Sequence, residues 1–431
     1  MVDPAEMTDE QLIEHKRQQR RAKKLLLEQQ AKVASASSRS LNRAILPLSS
    51  SNSSAPRRKF TLMTYNILAQ CLIRRNMYPT SGNNLRWKAR RPLLLKEFEH
   101  YRPDILCLQE VDQWEDVYAH ELRALGYEAV YSRGAKKLHG CCIAWRQELF
   151  EKRDEKALHY DDLTTEIPKT RNTGNIAQLV ALRFRSEKAS LGKTDKETFG
   201  REAGEEGVIV GTTHLYWRPG THYERLRQAT LLLEGAMDFG RDMSYPIFLC
   251  GDFNMSPADP AYWSLTKAPL QPQHLAMLNE SRHVLPPSSS DSEDDDEGLD
   301  EAEDAEADHI LNDNAHQAQL DASLMTVPDL LERVAALPRC NSAYNQYSSV
   351  DGSRSSALGE PIHSVYTHFF KALLDYIFVV EPQQGKPEDE WRATALLKMP
   401  EEEELQPALP NEEFASDHIS MMAEFGLFTK E

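Results

Sequence analysis

A layered α/β sandwich is the fold class that this sequence predicts, and three observations carry it. Short, nearly all-apolar runs such as Ile105-Leu106-Cys107-Leu108 have the pattern of strands covered on both faces. Amphipathic stretches of helical period are interspersed with them. The chain has 431 residues and is 40% hydrophobic, enough to bury a sizeable core.

Residues 1–55 read as an extension. A polar stretch from Glu6 to about Val33 has helical character and clusters Lys16, Arg17, Arg20, Arg21, Lys23 and Lys24; a Ser/Asn-rich run then leads to Pro56. The expected catalytic domain spans 56–431. Its first strand is Phe60–Ile67, followed by an amphipathic helix Arg86–Tyr101 and a buried strand Asp104–Gln109. Helix is expected over Asp112–Leu125, Tyr223–Phe239 and Pro328–Leu337. Strands are expected at Cys141–Arg146, Ile176–Phe184, Val208–Thr213, Pro246–Cys250, Asp375–Val380 and Ile419–Phe425. The stretch 287–314, rich in Ser, Asp and Glu, cannot bury enough apolar surface to fold and is expected to be a disordered acidic insertion.

Composition excludes several classes of protein. No apolar run approaches the ~20 residues of a membrane-spanning helix, and the acid-containing N-terminus carries no apolar signal core, so a cytoplasmic or nuclear location is expected. The six cysteines form no CxxC pair and are expected to be reduced core residues. The acidic insertion concentrates the charge: removing the 12 acids of residues 291–308 from a net charge of −17 leaves −5. A field of that sign does not attract nucleic acid, so a polyanion site must rest on local basic groups or bound cations.

Six segments end strands, or follow them, with carboxylate, amide or imidazole groups. They are Thr64-Tyr65-Asn66-Ile67-Leu68, Leu108-Gln109-Glu110-Val111, Thr212-Thr213-His214-Leu215, Gly251-Asp252-Phe253-Asn254, Leu374-Asp375-Tyr376 and Ser416-Asp417-His418. Strand ends of α/β sheets are where such folds place ligand sites. Scattered single acids such as Glu110, Asp252 and Asp375 suit Mg²⁺, which prefers oxygen donors and binds phosphate esters together with a few carboxylates. His214 suits donation to a phosphate oxygen, and His418 suits proton transfer. Taken singly each is an ordinary strand end or turn; the ordered set points to metal-assisted phosphoester hydrolysis.

That ordered set, TYNIL, LQEV, THLYW, GDFN, LDYIF and SDH, resembles the endonuclease/exonuclease/phosphatase superfamily, within it the nocturnin, Angel and carbon-catabolite-repressor deadenylase branch, and most of all the fungal Ngl-type RNA exonucleases. The resemblance runs from about Lys59 to Phe428. Arg86-Trp87-Lys88-Ala89-Arg90-Arg91 and Gly140-Cys141-Cys142-Ile143-Ala144-Trp145-Arg146 share it. It implies a deoxyribonuclease-I-like four-layer sandwich, two central β-sheets flanked by helices. It also implies Glu110 and Asn66 as metal ligands, with two Mg²⁺ ions for which Mn²⁺ can substitute. Asp252 and Asn254 would position the attacking water, His214 would bind the scissile phosphate, and Asp375 would support the site. His418 would be the second acid/base group, with Asp417 behind it. Pro219 and Phe370 would sandwich the 3′-terminal base.

Single-stranded RNA is gripped by stacking on aromatic faces and by basic groups along its phosphates. Phe370, Trp217 and Tyr223, with Arg218, Arg225 and Arg227, supply both, and at most one of Arg225 and Arg227 is expected to touch RNA. His139 stands where relatives often carry Asp, a difference expected either to alter substrate choice or to be a neutral loop change. The expected activity is 3′-to-5′ exoribonucleolysis at a single-stranded RNA 3′ end, as in poly(A) shortening or rRNA 3′-end processing, with release of 5′-monophosphates. A nucleotide-cofactor phosphatase of the nocturnin type and a catalytically silent RNA-binding adaptor are the alternatives. The acidic insertion and the basic N-terminal helix are candidate docking sites for a protein partner.

Overall fold

The computed structural model describes residues 41–48, 55–163, 167–185, 206–284, 321–382 and 389–429. The basic N-terminal stretch and the acidic insertion lie outside the described residues. The described residues from Ala44 onward belong to one compact unit.

Two mixed sheets organise this unit. The first has seven strands in the order β1 (Ile45–Pro47), β14 (Asp389–Leu397), β15 (Met421–Thr429), β2 (Arg58–Asn66), β3 (Ile105–Val111), β5 (Gly140–Arg146) and β4 (Tyr127–Arg133). The second has six, in the order β10 (Cys340–Ser342), β13 (Asp375–Val380), β9 (Ile247–Asp252), β8 (Gly207–His214), β7 (Ile176–Phe184) and β6 (Phe150–His159). Each sheet contains one parallel pair, β2 with β3 and β8 with β9. A parallel pair needs a crossover, supplied by helix α1 (Trp87–Tyr101) in the first sheet and helix α3 (His222–Phe239) in the second.

Period-2 alternation assigns the faces of the first sheet. Phe60 and Leu62 of β2, Ile105 and Cys107 of β3, and Ile143 and Trp145 of β5 join the larger core, shared with the second sheet. Met63 and Tyr65, Leu106 and Leu108, and Cys142 and Ala144 point the other way, into a smaller core with Leu94 and Phe98 of α1 and Leu122 of α2 (Ala119–Ala124). Phe60 meets Phe248 of β9 edge to face at 5.2 Å across the sheet interface. The second sheet packs its far side on α3, α4 (Pro260–Leu265), α5 (Pro272–Glu280) and α6 (Val327–Ala336). Sheets and helices thus form the four expected layers.

The structure also departs from the sequence-based outline. The boundary expected at 55/56 cuts off a strand: β1 adds to the edge of the first sheet beside β14. The helix expected over Asp112–Leu125 is shorter, a π-turn at Trp114–Tyr118 leading into α2. Strand β6, EKRDEK in its middle, escaped the apolar-run criterion because it is a charged edge strand with only Phe150 and Leu158 fully buried. Cys71 is exposed, whereas the other five cysteines are buried and free.

Candidate active site

The C-terminal ends of the two parallel pairs deliver the site. Asn66 ends β2, Glu110 lies next to the last residue of β3, and His214 and Asp252 end β8 and β9. Register places His214 opposite Asp252, and Asp252 opposite Asp375, the first residue of β13, so three functional groups form one row across the second sheet. Gly251 permits this row. Its φ is 136°, and a Cβ there would lie 2.1 Å from the Thr213 carbonyl oxygen, so a side chain would force β8 and β9 apart.

Local backbone geometry aims the remaining groups. Glu110 has φ 59° within an irregularity of the β3–β5 ladder between Leu108 and Val111, which turns its carboxylate out of the regular alternation. The Asn66 Oδ1 accepts from Leu68 N at 3.1 Å, an Asx-type turn that ends β2. The Asn66 amide then donates to Glu110 Oε1 at 2.8 Å and to Asp252 Oδ2 at 3.0 Å, bridging the two sheets. Ala69 N supplies a further donor to Glu110 Oε2 at 2.9 Å.

Asp252 sits between two imidazoles, its Oδ2 3.6 Å from both His214 Nε2 and His418 Nε2. His214 Nδ1 is 3.9 Å from Glu110 Oε1. On its other side His418 Nδ1 is hydrogen-bonded to Asp375 Oδ2 at 2.8 Å. Burial opposes charge on His418, but the carboxylates of Asp375 and Asp252 outweigh it and hold its pKa well above the usual imidazole value. Burial lifts Asp375, against the pull of His418.

The structure therefore brings Asn66, Glu110, His214, Asp252, Asp375 and His418 together. Asp417 is a correction. It accepts from Tyr78 Oη at 2.9 Å, and the carboxylate hydrogen-bonded to His418 is that of Asp375, 43 residues away in sequence. Residues 415–417 form a bend that ends at His418, and the two neighbouring side chains take different partners. Asn254 has φ 48°; its backbone N donates to Asp252 Oδ1 at 2.9 Å, and its side-chain N–H goes to the Leu215 carbonyl at 2.9 Å. In this arrangement it holds Asp252 and the strand end in place.

The grip expected for RNA is only partly available. Tyr223, Arg225 and Arg227 lie on the buried helix α3 and are at most 4% exposed. Arg225 pairs with Asp259 at 3.0 Å and Arg227 with Glu224 at 2.8 Å, so both guanidinium groups serve the core. Phe370 is half exposed at the tip of a hairpin, β11 (Val365–Tyr366) with β12 (Lys371–Ala372). Pro219 is exposed in the turn after His214, and the Arg218 guanidinium lies 5.9 Å from the Trp217 ring centre.

Sequence reasoning missed three supporting residues. Ser364 Oγ donates to Asp375 Oδ2 at 2.6 Å and lies within 3.1 Å of the Leu374 and Asp375 backbone N–H groups, which fixes the carboxylate that holds His418. Gln109 Nε2 reaches Thr64 Oγ1 at 3.1 Å and, across the sheets, Thr212 Oγ1 at 2.9 Å. Arg90, fully buried, donates to the carbonyls of Ile67, Leu68 and Ala415. Arg90 belonged to a recognised motif, but the sequence alone does not say what it touches.

The donor set fits a hard divalent cation. Asp252 and Asp375 lie with His418 in a buried cluster whose polar atoms are within 4.8 Å of one another; the two carboxylates are its metal donors, since a protonated His418 has no lone pair to give, and the buried Asp375 Oδ1 has no hydrogen-bond partner. Glu110 adds a carboxylate joined to Asp252 through Asn66. Oxygen donors dominate and no cysteine takes part, as Mg²⁺ or Mn²⁺ requires.

The model of the endonuclease/exonuclease/phosphatase family matches residues 63–418. The RNA exonuclease NGL2 of Saccharomyces cerevisiae is 32% identical over 419 residues, covering 86% of this chain and 78% of that protein. Among solved structures, ANGEL2, a 2′,3′-cyclic phosphatase, in complex with adenosine-2′,3′-vanadate superposes with a TM-score of 0.60 at 22% identity, over 89% of this chain and 98% of that one. The human Nocturnin catalytic domain with bound sulfate superposes with a TM-score of 0.53 at 20% identity, over 90% of this chain and 99% of that one. These two likenesses establish the shared sandwich fold.

Proposed function

The chain belongs to the endonuclease/exonuclease/phosphatase family, and on that premise we propose that it is a metal-dependent 3′-to-5′ exoribonuclease acting on single-stranded RNA. The observation that carries the proposal is the convergence of Asn66, Glu110, His214, Asp252, Asp375 and His418 where strand ends of the two sheets meet, in a chain similar to an RNA exonuclease over most of its length.

The residues divide the work by position. Asp252, flanked by two imidazoles, is placed to take the proton of an attacking water. His214 faces the same space and donates to the phosphate as charge builds on it. Asp375, itself held by Ser364, keeps His418 oriented and protonated, so that its Nε2–H faces the reacting group. Glu110, Asp252 and Asp375 would hold Mg²⁺, which supplies charge neutralisation to the phosphoryl oxygens. Phe370 and Pro219 would stack on the terminal base and so select a free 3′ end.

The test is purified protein with Mg²⁺ and 5′-labelled RNA. A ladder shortening from the 3′ end with release of 5′-monophosphates is expected. Cleavage of circular RNA at a comparable rate would identify an endonuclease, and turnover of a 2′-phosphorylated dinucleotide alone would identify a phosphatase.

A further inference from the structure

A cleft opens beside His214, lined among others by Lys137, His139, Asn175 and Trp217. Among the described residues no acid lines it, although the chain carries 67 Asp and Glu against 50 Lys and Arg. A wall bearing one lysine and two histidines is suited to an anion.

The lysine is positioned by a glycine. Gly174 has φ 66°, and a Cβ on it would lie 3.1 Å from Lys137 Cε and 3.3 Å from its Cγ, so the aliphatic stem of Lys137 runs over bare backbone. Gly134 closes the other side: a Cβ there would meet the Gly174 carbonyl oxygen at 2.1 Å. The cleft is coupled to the reacting centre at two points. Asn175 Nδ2 donates to the His214 carbonyl at 2.9 Å, and the ring centres of His139 and His214 are 6.3 Å apart.

We propose that this cleft is a subsite for the RNA phosphodiester one nucleotide 5′ of the scissile bond, with Lys137 as its cation, His139 as a second donor and Trp217 as a stacking wall. This rests on the exoribonuclease reading. On that reading the terminal nucleoside lies toward Phe370, whose hairpin leads into β13 and Asp375 at one end of the Asp375–Asp252–His214 row, while Asn175, which leads into β7, sets the cleft at the other end, beside His214.

The experiment uses the full chain, Mg²⁺ and two RNAs: one natural, the other with a single neutral methylphosphonate at that linkage. Release of the first nucleotide is measured for wild type, Lys137→Met and Lys137→Arg. Lys137→Met is expected to raise KM for natural RNA about three- to tenfold with kcat unchanged, and to lower the slope of log KM against log salt by about 0.7. On the methylphosphonate RNA wild type and Lys137→Met should coincide, and Lys137→Arg should stay near wild type on both. An unchanged KM in Lys137→Met, or an equal effect on both RNAs, would overturn the subsite while leaving the nuclease reading intact. Absence of RNA turnover by wild type would overturn that reading itself.

Discussion

Replacing Arg90 by Met tests whether the two loops that carry the site are held by one buried cation. The guanidinium is fully buried; it reaches Ala415 O at 2.6 Å, Leu68 O at 2.5 Å and Gln70 Oε1 at 3.2 Å, and it also donates to Ile67 O. Methionine fills much of the same volume but donates nothing, so three backbone carbonyls lose a partner. At about 1–2 kcal/mol for each orphaned buried acceptor, the loss is about 3–6 kcal/mol. Removing a buried charge that is satisfied only by neutral oxygens returns part of its desolvation cost, leaving a net loss of about 2–4 kcal/mol. Ile67 and Leu68 follow Asn66 directly, and Ala415 precedes the Ser416-Asp417-His418 segment, so the same change loosens Asn66 and His418 together. Urea unfolding gives the stability, and kcat on labelled RNA under native conditions gives the second readout, expected to fall at least tenfold. A stability loss below 1 kcal/mol together with kcat within threefold of wild type would refute the clamp.

Glu110→Ala should abolish turnover with the fold intact, since it removes a carboxylate from an acidic cluster, and EDTA should do the same to wild type until Mg²⁺ is restored; thermal melts and RNA hydrolysis together check both. Asp252→Asn should lower kcat at least a hundredfold while RNA binding, followed by fluorescence anisotropy, changes little. Phe370→Ala should blunt discrimination among 3′-terminal bases, with a cost of about 1–3 kcal/mol in kcat/KM. Burial lifts Glu360 from its ordinary 4.5 to about 7, against hydrogen bonds from Ser342 and Tyr262. A raised folded-state pKa means stability that is present below pH 4.5 and lost as pH climbs to 7, by about 3 kcal/mol for this group. Glu360→Gln should remove that part of the wild-type pH dependence in urea unfolding between pH 5 and 8, and parallel curves for the two proteins would count against it.

Much of the site was legible in the sequence because its groups end strands. An apolar run that stops at Asn66, at Glu110 or at Asp252 marks a strand and its terminus at once, and parallel strands bring such termini to one edge. Ile176–Phe184 and Asp375–Val380 were readable to the residue, being buried runs with sharp polar boundaries. Elements without that contrast were not readable: β6 looks like a solvated loop, and β1 looks like part of a tail. A sequence pattern records burial, and an edge strand has little of it to record.

The sequence by itself determined the layered class, the order of the elements and the residue types at the strand ends, because these follow from local periodicity and chain order. Only the tertiary structure decided partnership. It gave His418 the distant Asp375 and turned its neighbour Asp417 toward Tyr78. It enclosed Arg225 and Arg227 within the core and left Lys137 beside His214. The physical reason is that a hydrogen bond or ion pair depends on separation and direction in space, and residues far apart in sequence acquire these only when the sheets pack and their register is set.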